Sequence, residues 1–335
     1  MTQHRDTCRL GRTGPEVSSP ALGAMGLSGA YGAVDEDQGV RVVHAYLDAG
    51  GTLLDTGDFY GAGHNELLLR RALADRRRDD VVLSVKFGAL LSPGGLPSGF
   101  DGRPSSVRNS LTYSLQRLGV DHVDVYRPAR LDPTVPIEDT VGAIADLVEQ
   151  GYVRHVGLSE VGPETIRRAA SVTPVCDLQI EYSLLSRDIE DAILPTCREL
   201  GIGITAYGVL SRGLIGGSGT LEGGRRISPR FRDGHREHNE ALVGRLQEMA
   251  GEKGCSVAQL AIGWATAQGE DIVPIVGARR EDQVRSMLDE VVLDAADLAR
   301  IDELVPRGSV SGDRYPAAHM AELDSERRPV SPAAG

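Results

Sequence analysis

The sequence has few cysteines, and their spacing suits neither a metal site nor a disulfide framework. The 335 residues include four cysteines, Cys8, Cys176, Cys197 and Cys255. They form no CxxC pair, and no cluster of Cys and His has the spacing of a zinc site. We therefore expect free thiols in a reducing compartment and no bound metal.

Positive charge and long apolar runs are also scarce. Lys and Arg number 36 against 48 Asp and Glu, which gives a formal net charge of -12. A surplus of negative charge repels phosphates, so we expect no nucleic-acid partner. Apolar runs are too short to span a membrane, and residues 1–10 are too polar for a secretory signal. These features predict a cytoplasmic protein with no membrane partner, and they do not indicate its oligomeric state.

What the sequence has in abundance is a regular alternation of strand-like and helical segments. Eight short apolar runs read as strands, at residues 20–25, 53–56, 81–87, 123–126, 153–158, 177–181, 203–207 and 272–276. Helical periodicity follows nearly all of them, for example at residues 65–74, 105–118, 137–150, 163–170 and 188–200, and two further helices, 240–250 and 257–267, precede the last strand.

Local signals support these helix boundaries. Ser105 suits a helix start, and Pro136 and Pro163 suit a first turn. Glycine follows three helices, at residues 119, 151 and 201, where a left-handed residue commonly ends a helix.

Eight strand and helix units in one chain favour a closed barrel over an open sheet. After the first strand the sequence reads GAMGLSG (23–29), which does not fit the GxGxxG fingerprint of an open dinucleotide-binding sheet. We predict an α/β fold consisting of a single (β/α)8 TIM barrel, residues 1–305. An N-terminal β-hairpin around RTGP (12–15) would cap its bottom. A long Gly- and Ser-rich loop spans 208–237, and residues 306–335 form a tail that is partly disordered, with its end at 327–335.

Three polar side chains fall at neighbouring strand ends, where barrels of this type place their active groups. Asp55 and Tyr60 follow the second strand, and Lys86 lies near the end of the third. A lysine in an apolar strand needs a charge partner, and Asp55 on the adjacent strand can supply it. A nearby ammonium would lower the pKa of Tyr60 and suit it for proton donation to a carbonyl oxygen.

Taken singly, these residues have plainer interpretations. Lys86 could belong to a structural ion pair and Tyr60 could be a surface aromatic residue. As one Asp–Tyr–Lys set on neighbouring strand ends, they favour the catalytic interpretation.

The segment LDTGDFYGAGHNE (54–66) resembles the signature of the aldo-keto reductases, DTAxxYGxGxNE, and VKF (85–87) resembles their lysine strand. The resemblance extends from the hairpin to about residue 304. It implies that Asp55, Tyr60 and Lys86 are catalytic and that Tyr60 is the proton donor.

The fourth member of the family's catalytic tetrad, a histidine, has no counterpart here. The family pattern YxxHRxDP corresponds to YRPARLDP (126–133), so that Ala129 stands at the histidine position. His122 precedes the strand, and His64 lies in the loop after Tyr60. Either Tyr60 acts nearly alone, or Arg127 or Arg130 assists, or the substrate needs less polarisation, as an enone, an imine or an activated aldehyde would.

The resemblance also implies an NADPH site on the later strands. Ser159 and Gln179 would hold the nicotinamide carboxamide, whereas Glu160 replaces a common Asn. Tyr207 would stack on the nicotinamide ring, Arg212 would neutralise the pyrophosphate, and Arg279 would bind the 2′-phosphate. Gln283 would lie near the adenine, where Met287 replaces another Asn. The complete predicted cofactor set is Met25, Ser159, Gln179, Tyr207, Leu210, Arg212, Gly277, Arg279 and Gln283.

The predicted function is reduction of a small-molecule aldehyde or ketone by NADPH. Two alternatives stay open, namely a reductase of C=C or C=N bonds in a specialised biosynthetic pathway and a cofactor-sensing binding protein. The predicted substrate wall consists of Tyr31, Phe87, Tyr126 and Arg127, and Trp264 would belong either to this wall or to the core.

Overall fold

The computed structural model describes residues 7–32, 34–216, 228–232 and 234–326. Its strands are β1 (Thr7–Arg9), β2 (Glu16–Ser18), β3 (Ala21–Gly23), β4 (Leu53–Gly57), β5 (Val82–Phe87), β6 (Ala89–Leu91), β7 (Pro97–Phe100), β8 (Val123–Pro128), β9 (Val153–Ser159), β10 (Val175–Glu181), β11 (Gly203–Tyr207) and β12 (Ile272–Val276). All except β1, β2, β6 and β7 form one closed parallel barrel, in which β9 pairs with β10 and β12 with β3. The predicted (β/α)8 barrel is confirmed.

Helices form the outer layer and pack apolar faces against the strands. They are α1 (Glu36–Asp48), α2 (His64–Leu73), α3 (Pro104–Leu118), α4 (Ile137–Glu149), α5 (Pro163–Val172), α6 (Ile193–Leu200), α7 (His235–Glu252), α8 (Val257–Ala267), α9 (Glu281–Leu288), α10 (Ala295–Leu304) and α11 (Ala317–Ala321). One continuous hydrophobic cluster fills the space between strands and helices. Trp264, on α8, is 1% exposed and lies in this core rather than at the substrate wall.

Most predicted helix boundaries hold to within two residues, but α6 begins at Ile193 rather than at residue 188 and α7 begins at His235 rather than at residue 240. Helix α3 begins at Pro104 rather than Ser105, because proline suits the first helical position. Pro136 directly precedes α4, and Pro163 is the first residue of α5. Residues 119, 151 and 201 are left-handed, as predicted for glycines that follow helices.

An antiparallel hairpin of β1 and β2 covers the bottom of the barrel, as predicted. Leu10 and Val17 are buried in the cluster that fills the barrel interior. Arg12 fixes the hairpin to the turn before β11, since its backbone N–H donates to the Gly201 carbonyl at 2.8 Å and its side chain to the Leu200 carbonyl at 2.7 Å. The hairpin therefore closes the end of the barrel opposite the site.

The interior also holds a buried ion pair. Arg127 on β8 and Asp177 on β10 are both fully buried, and Arg127 Nη2 lies 3.0 Å from the Asp177 carboxylate. Thr205 on β11 accepts from Arg127 at 3.1 Å and donates to Asp177 at 2.6 Å. A side chain at Gly157 would place its Cβ 2.7 Å from Asp177 and 2.9 Å from Arg127, so the pair needs glycine there.

The segment after α10 folds back onto the barrel. Within residues 306–326, Arg314 is only 6% exposed, and the Asp324 side chain accepts from the Gly162 backbone N–H at 2.9 Å. The predicted boundary at residue 305 is thus not the end of the packed structure. The remainder of the predicted tail, 327–335, and residues 217–227 of the predicted long loop lie outside the described residues.

Candidate active site

Asp55 and Lys86 form a buried ion pair at the mouth of the barrel. They lie on the adjacent strands β4 and β5, and Lys86 Nζ is 2.5 Å from Asp55 Oδ1. The other Asp55 oxygen accepts from Ser84 at 3.0 Å and from Gln179 at 2.7 Å. Such complete pairing is what allows two opposite charges to be buried.

Tyr60 stands above this pair. Its ring centroid is 5.1 Å from Lys86 Nζ. The chain can turn there because Gly61 adopts φ +57°, a left-handed conformation that glycine adopts without strain, and a side chain at Gly61 would crowd Ser28 and His64 at 3.1 Å. The predicted set of Asp55, Tyr60 and Lys86 is therefore assembled at one place.

The pKa of Tyr60 is raised overall rather than lowered as predicted. Burial raises the pKa of the Tyr60 hydroxyl well above its ordinary value, the Asp55 carboxylate and Tyr31 raise it further, and Arg130 lowers it. Burial is the largest of these effects, and it outweighs the lowering that a nearby cation can produce. Burial also lowers the pKa of Lys86 to about 8, although Asp55 opposes this shift. Tyr60 is thus held protonated, as a proton donor must be.

The last residues of the 54–66 segment hold the loop in place. Asn65 donates to the Ala24 carbonyl at 2.8 Å and accepts from Thr56 at 2.6 Å, which ties the loop after β4 to the loop after β3. Glu66 is fully buried and pairs with Arg117 on α3. His64 bonds to Ser28 at 2.9 Å and to Glu36 at 3.2 Å.

The position expected for the histidine offers no donor. Ala129 is 2% exposed and follows the end of β8. The next residue, Arg130, is partly buried, and its guanidinium donates to the Ala129 carbonyl at 2.6 Å and to the Tyr315 hydroxyl at 3.4 Å. His122 lies at the opposite end of β8, where it bonds to Asp121 at 2.6 Å.

Ser159 and Gln179 lie side by side at the ends of β9 and β10, where their Cα atoms are paired. Ser159 is 1% exposed, and its Oγ has no hydrogen-bond partner among the described residues. A buried hydroxyl without a partner is costly unless a ligand completes it. The two residues therefore fit the predicted carboxamide site, although Gln179 Nε2 is also the donor to Asp55.

Glu160 is fully engaged within the protein. Its carboxylate accepts two hydrogen bonds from Arg314, at 3.1 and 2.9 Å, one from Ser325 at 2.9 Å and one from Tyr207 at 2.7 Å. Burial alone would raise the pKa of Glu160, but Arg314 outweighs it and holds the pKa well below its usual range. Glu160 therefore serves to hold the tail segment.

Tyr207 and Tyr315 meet above Glu160. Their hydroxyl oxygens are 2.9 Å apart, and the Arg212 guanidinium lies 4.2 Å from the Tyr315 ring centroid. Ser211 and Arg212 both have positive φ, at 46° and 58°, in the turn that follows Leu210. Tyr207 and Arg212 thus both lie at the mouth, where Tyr315 from the segment after α10 contacts each of them.

The predicted adenosine-side residues surround the start of α9. Gln283 accepts from the Arg279 backbone N–H at 2.8 Å, and the Arg279 side chain donates to the Tyr31 carbonyl at 2.9 Å. This bond links the end of β12 to the loop after β3, where Met25 is half-exposed. Gly277 lies exposed between β12 and α9, whereas Met287 is buried in the core.

Three of the four predicted wall residues lie elsewhere. Phe87 and Tyr126 stack on each other with centroids 4.3 Å apart, and Tyr126 donates to the Val107 carbonyl of α3 at 3.1 Å. Both therefore face the helices rather than the mouth, because alternate residues of a strand face opposite sides. Arg127 occupies the barrel interior as described above. Tyr31 acts electrostatically on Tyr60 and Arg212, which places it at the mouth.

Sequence reasoning missed Arg314 and Tyr315. Neither residue stands out within the polar 306–326 segment, and only the fold brings them to Glu160. Asp177 did carry a signal, since a carboxylate in the apolar strand 175–181 needs a cation just as Lys86 needs an anion.

Within the described parts of the chain, no group of three or more His, Cys, Asp or Glu side chains is arranged to hold a metal ion. Over the same residues, no helix combines the length and apolar character of a membrane span. The four cysteines are unpaired by disulfides.

Comparison with known proteins agrees with this geometry. The model of the Aldo/keto reductase family matches residues 21–306. A relative from Glycine max, named "Probable aldo-keto reductase 1", is 41% identical over 324 residues, which cover 94% of this chain and 93% of that protein. The glycerol dehydrogenase AKR11B4 from Gluconobacter oxydans is 27% identical, covers 98% of each chain and superposes with a TM-score of 0.80.

A second solved structure, the holo form of the aldo-keto reductase AKR11C1 from Bacillus halodurans, has a TM-score of 0.76 at 24% identity, over 92% of this chain and 98% of that one, and supports the fold. The chain therefore belongs to the aldo/keto reductase family, whose members are oxidoreductases that use a nicotinamide cofactor and act on small molecules.

Proposed function

We propose that this protein is an NADPH-dependent carbonyl reductase in which Tyr60 protonates the carbonyl oxygen of an aldehyde or ketone. The observation that carries the proposal is the buried Asp55–Lys86 pair directly beneath the Tyr60 ring. Burying two charges at a strand end is expensive. Their placement under a protonated phenol gives the pair a chemical purpose.

The residues of the nicotinamide end fit the cofactor. Ser159 offers a buried hydroxyl that has no hydrogen-bond partner among the described residues, and Gln179 lies beside it. Tyr207 ends β11, the strand that pairs with β10. Arg212 would face the pyrophosphate, and Arg279 would pair with a 2′-phosphate and favour NADPH over NADH. When bound, NADPH supplies a hydride to the carbonyl carbon and is oxidised to NADP⁺.

The protein's own residues complete the reaction. Tyr60 gives its hydroxyl proton to the carbonyl oxygen, which becomes the alcohol oxygen, and takes a proton back from solvent. Its raised pKa ensures that the proton is present at neutral pH. Lys86 and Asp55 hold the phenol and set the charge around it, since the ammonium favours the phenolate left after transfer and the carboxylate limits that effect.

Single-turnover oxidation of bound NADPH by an activated aromatic aldehyde tests the proposal. Tyr60→Phe should slow the reaction by orders of magnitude, because the proton donor is lost, without weakening NADPH binding. Tyr113→Phe removes a hydroxyl from the exposed face of α3 and serves as the control. Equal rates for wild type and Tyr60→Phe would reject the proposal. Consumption with enones or imines but not aldehydes would support the C=C or C=N alternative.

A further inference from the structure

We propose that Arg130 is the hydrogen-bond donor to the substrate carbonyl oxygen and takes the role left vacant by Ala129. This inference rests on the proposed reductase function and adds a residue to its mechanism. Ala129 directly follows β8 at the mouth of the barrel, and its methyl side chain cannot polarise a carbonyl. Arg130 is adjacent to it in the chain and carries five N–H donors.

The position of the guanidinium is fixed by two contacts. One Nη donates to the Ala129 carbonyl at 2.6 Å, which keeps the guanidinium beside the backbone of the position where the family has the histidine. The other donates to the Tyr315 hydroxyl at 3.4 Å, and Tyr315 is held in turn by Tyr207 at 2.9 Å. Arg130 is therefore held between the end of β8 and Tyr315 rather than extended into solvent.

The guanidinium lies close enough to the catalytic groups to act on them. It lowers the pKa of Tyr60 and also that of Lys86, so its charge is felt across the mouth. The nearby carboxylate of Glu160 already accepts hydrogen bonds from Arg314 and from two hydroxyl groups. Among the described residues, the Arg130 guanidinium donates hydrogen bonds to two neutral oxygens, and Glu160 attracts it through space. The remaining N–H groups of Arg130 are donors from which a developing oxyanion could accept hydrogen bonds.

Chemically, an arginine is a reasonable substitute. It donates a hydrogen bond to the carbonyl oxygen and loses no proton, so the proton still comes from Tyr60 and the hydride from the cofactor. Removing one preorganised donor of this kind costs about 10²–10³-fold in kcat. Because a guanidinium does not deprotonate in the working range, the donor imposes no acid limb near the pKa of a histidine.

The test compares wild type, Arg130→Met and Arg130→Lys in kcat and KM for an aldehyde and in Kd for NADPH. We expect Arg130→Met to lose about 10²–10³-fold in kcat with an unchanged NADPH Kd, and Arg130→Lys to retain part of the rate. Guanidinium chloride added to Arg130→Met should restore activity, which a purely structural role would not allow. Arg108→Met, on the exposed face of α3, is the control and should match wild type.

Ala129→His combined with Arg130→Met keeps the test informative if the single variant folds poorly. The double variant should regain rate and acquire a pH dependence near the pKa of a histidine that wild type lacks. Full kcat in Arg130→Met, or a defect confined to NADPH binding, would overturn the role of Arg130 while leaving the reductase function intact. Failure of wild type itself to oxidise NADPH would reject the reductase function instead.

Discussion

Both carboxylate oxygens of Glu160 accept hydrogen bonds from the guanidinium of Arg314, a residue 154 positions further along the chain. Both side chains are buried, and Arg314 also pairs with Glu326 at 2.6 Å. The end of β9 is thereby joined to the segment that follows α10. The mouth that holds the proposed active site is consequently built partly from residues outside the barrel itself.

Arg314→Ala should strongly destabilise the protein. It would leave the Glu160 carboxylate buried without its main cation, a loss of about 3–5 kcal/mol for a buried pair. Arg167→Ala removes an equally bidentate but exposed pair with Glu199, and it should cost about 1 kcal/mol or less. Urea unfolding compares the two variants. Equal decreases in the free energy of unfolding would show that burial does not make the Glu160–Arg314 pair more important for stability than an exposed pair.

Ser159→Ala should weaken NADPH binding without destabilising the free protein. Its Oγ has no partner among the described residues, so the free protein loses no hydrogen bond. A lost cofactor hydrogen bond of about 0.5–1.5 kcal/mol corresponds to a Kd roughly 2- to 12-fold weaker. The matched control is Ser114→Ala, a second buried serine without a partner, on α3. Fluorescence titration with NADPH measures both, and identical Kd values would contradict the assignment.

The rate of carbonyl reduction should fall as pH rises through about 8, the pKa of Lys86. Above that pH Lys86 loses its charge, which leaves the Asp55 carboxylate uncompensated beneath Tyr60 and makes the phenol a weaker acid. The Tyr60 hydroxyl itself cannot cause this limb, because its pKa lies well above 10.

Asp55→Asn provides the directional check on this limb. The carboxylate raises the pKa of Lys86, so its removal should shift the midpoint of kcat/KM to lower pH. An unchanged or higher midpoint would assign the limb to another group.

Arg127→Met should act on stability and not on substrate binding. It leaves Asp177 buried in the barrel interior with Thr205 as its remaining strong partner, at a cost of about 3–5 kcal/mol. Adding Asp177→Asn should recover part of that loss, because no buried charge then remains. Arg108→Met, from an exposed pair, is the control at about 1 kcal/mol or less. A raised KM with an unchanged free energy of unfolding would instead support the prediction that Arg127 contacts the substrate.

Periodicity and one motif were enough to predict the barrel and the proximity of Asp55, Tyr60 and Lys86. The eight strands follow from short apolar runs, and Asp55, Tyr60 and Lys86 follow from polar residues at strand ends. The side-chain environment could not be predicted in the same way. The pKa of Tyr60 depends on its burial and on its closeness to the Asp55 carboxylate. A sequence motif specifies neither the burial of a side chain nor its distance from a charge.

The alternating direction of side chains along a strand explains why Phe87 and Tyr126 were wrongly assigned to the substrate wall. Within β5 and β8, the residues next to a barrel-facing position turn toward the helices, so Phe87 and Tyr126 pack against α3 even though they are at the end of the barrel that holds the site. The contacts of Arg314 and Tyr315 with Glu160 and Tyr207 could not be predicted from the sequence. They depend on where the segment after α10 packs, and that segment shows no strand or helix periodicity.

The position of Arg314 has a consequence for biosynthesis. As the chain leaves the ribosome, the barrel can close once β12 has emerged and paired with β3. At that moment Glu160 lies at the mouth with its carboxylate lacking the cation that holds it in the finished protein. A nascent chain arrested between β12 and Arg314 would therefore be a closed barrel with an unfinished entrance, and synthesis of the segment that carries Arg314 would complete that entrance.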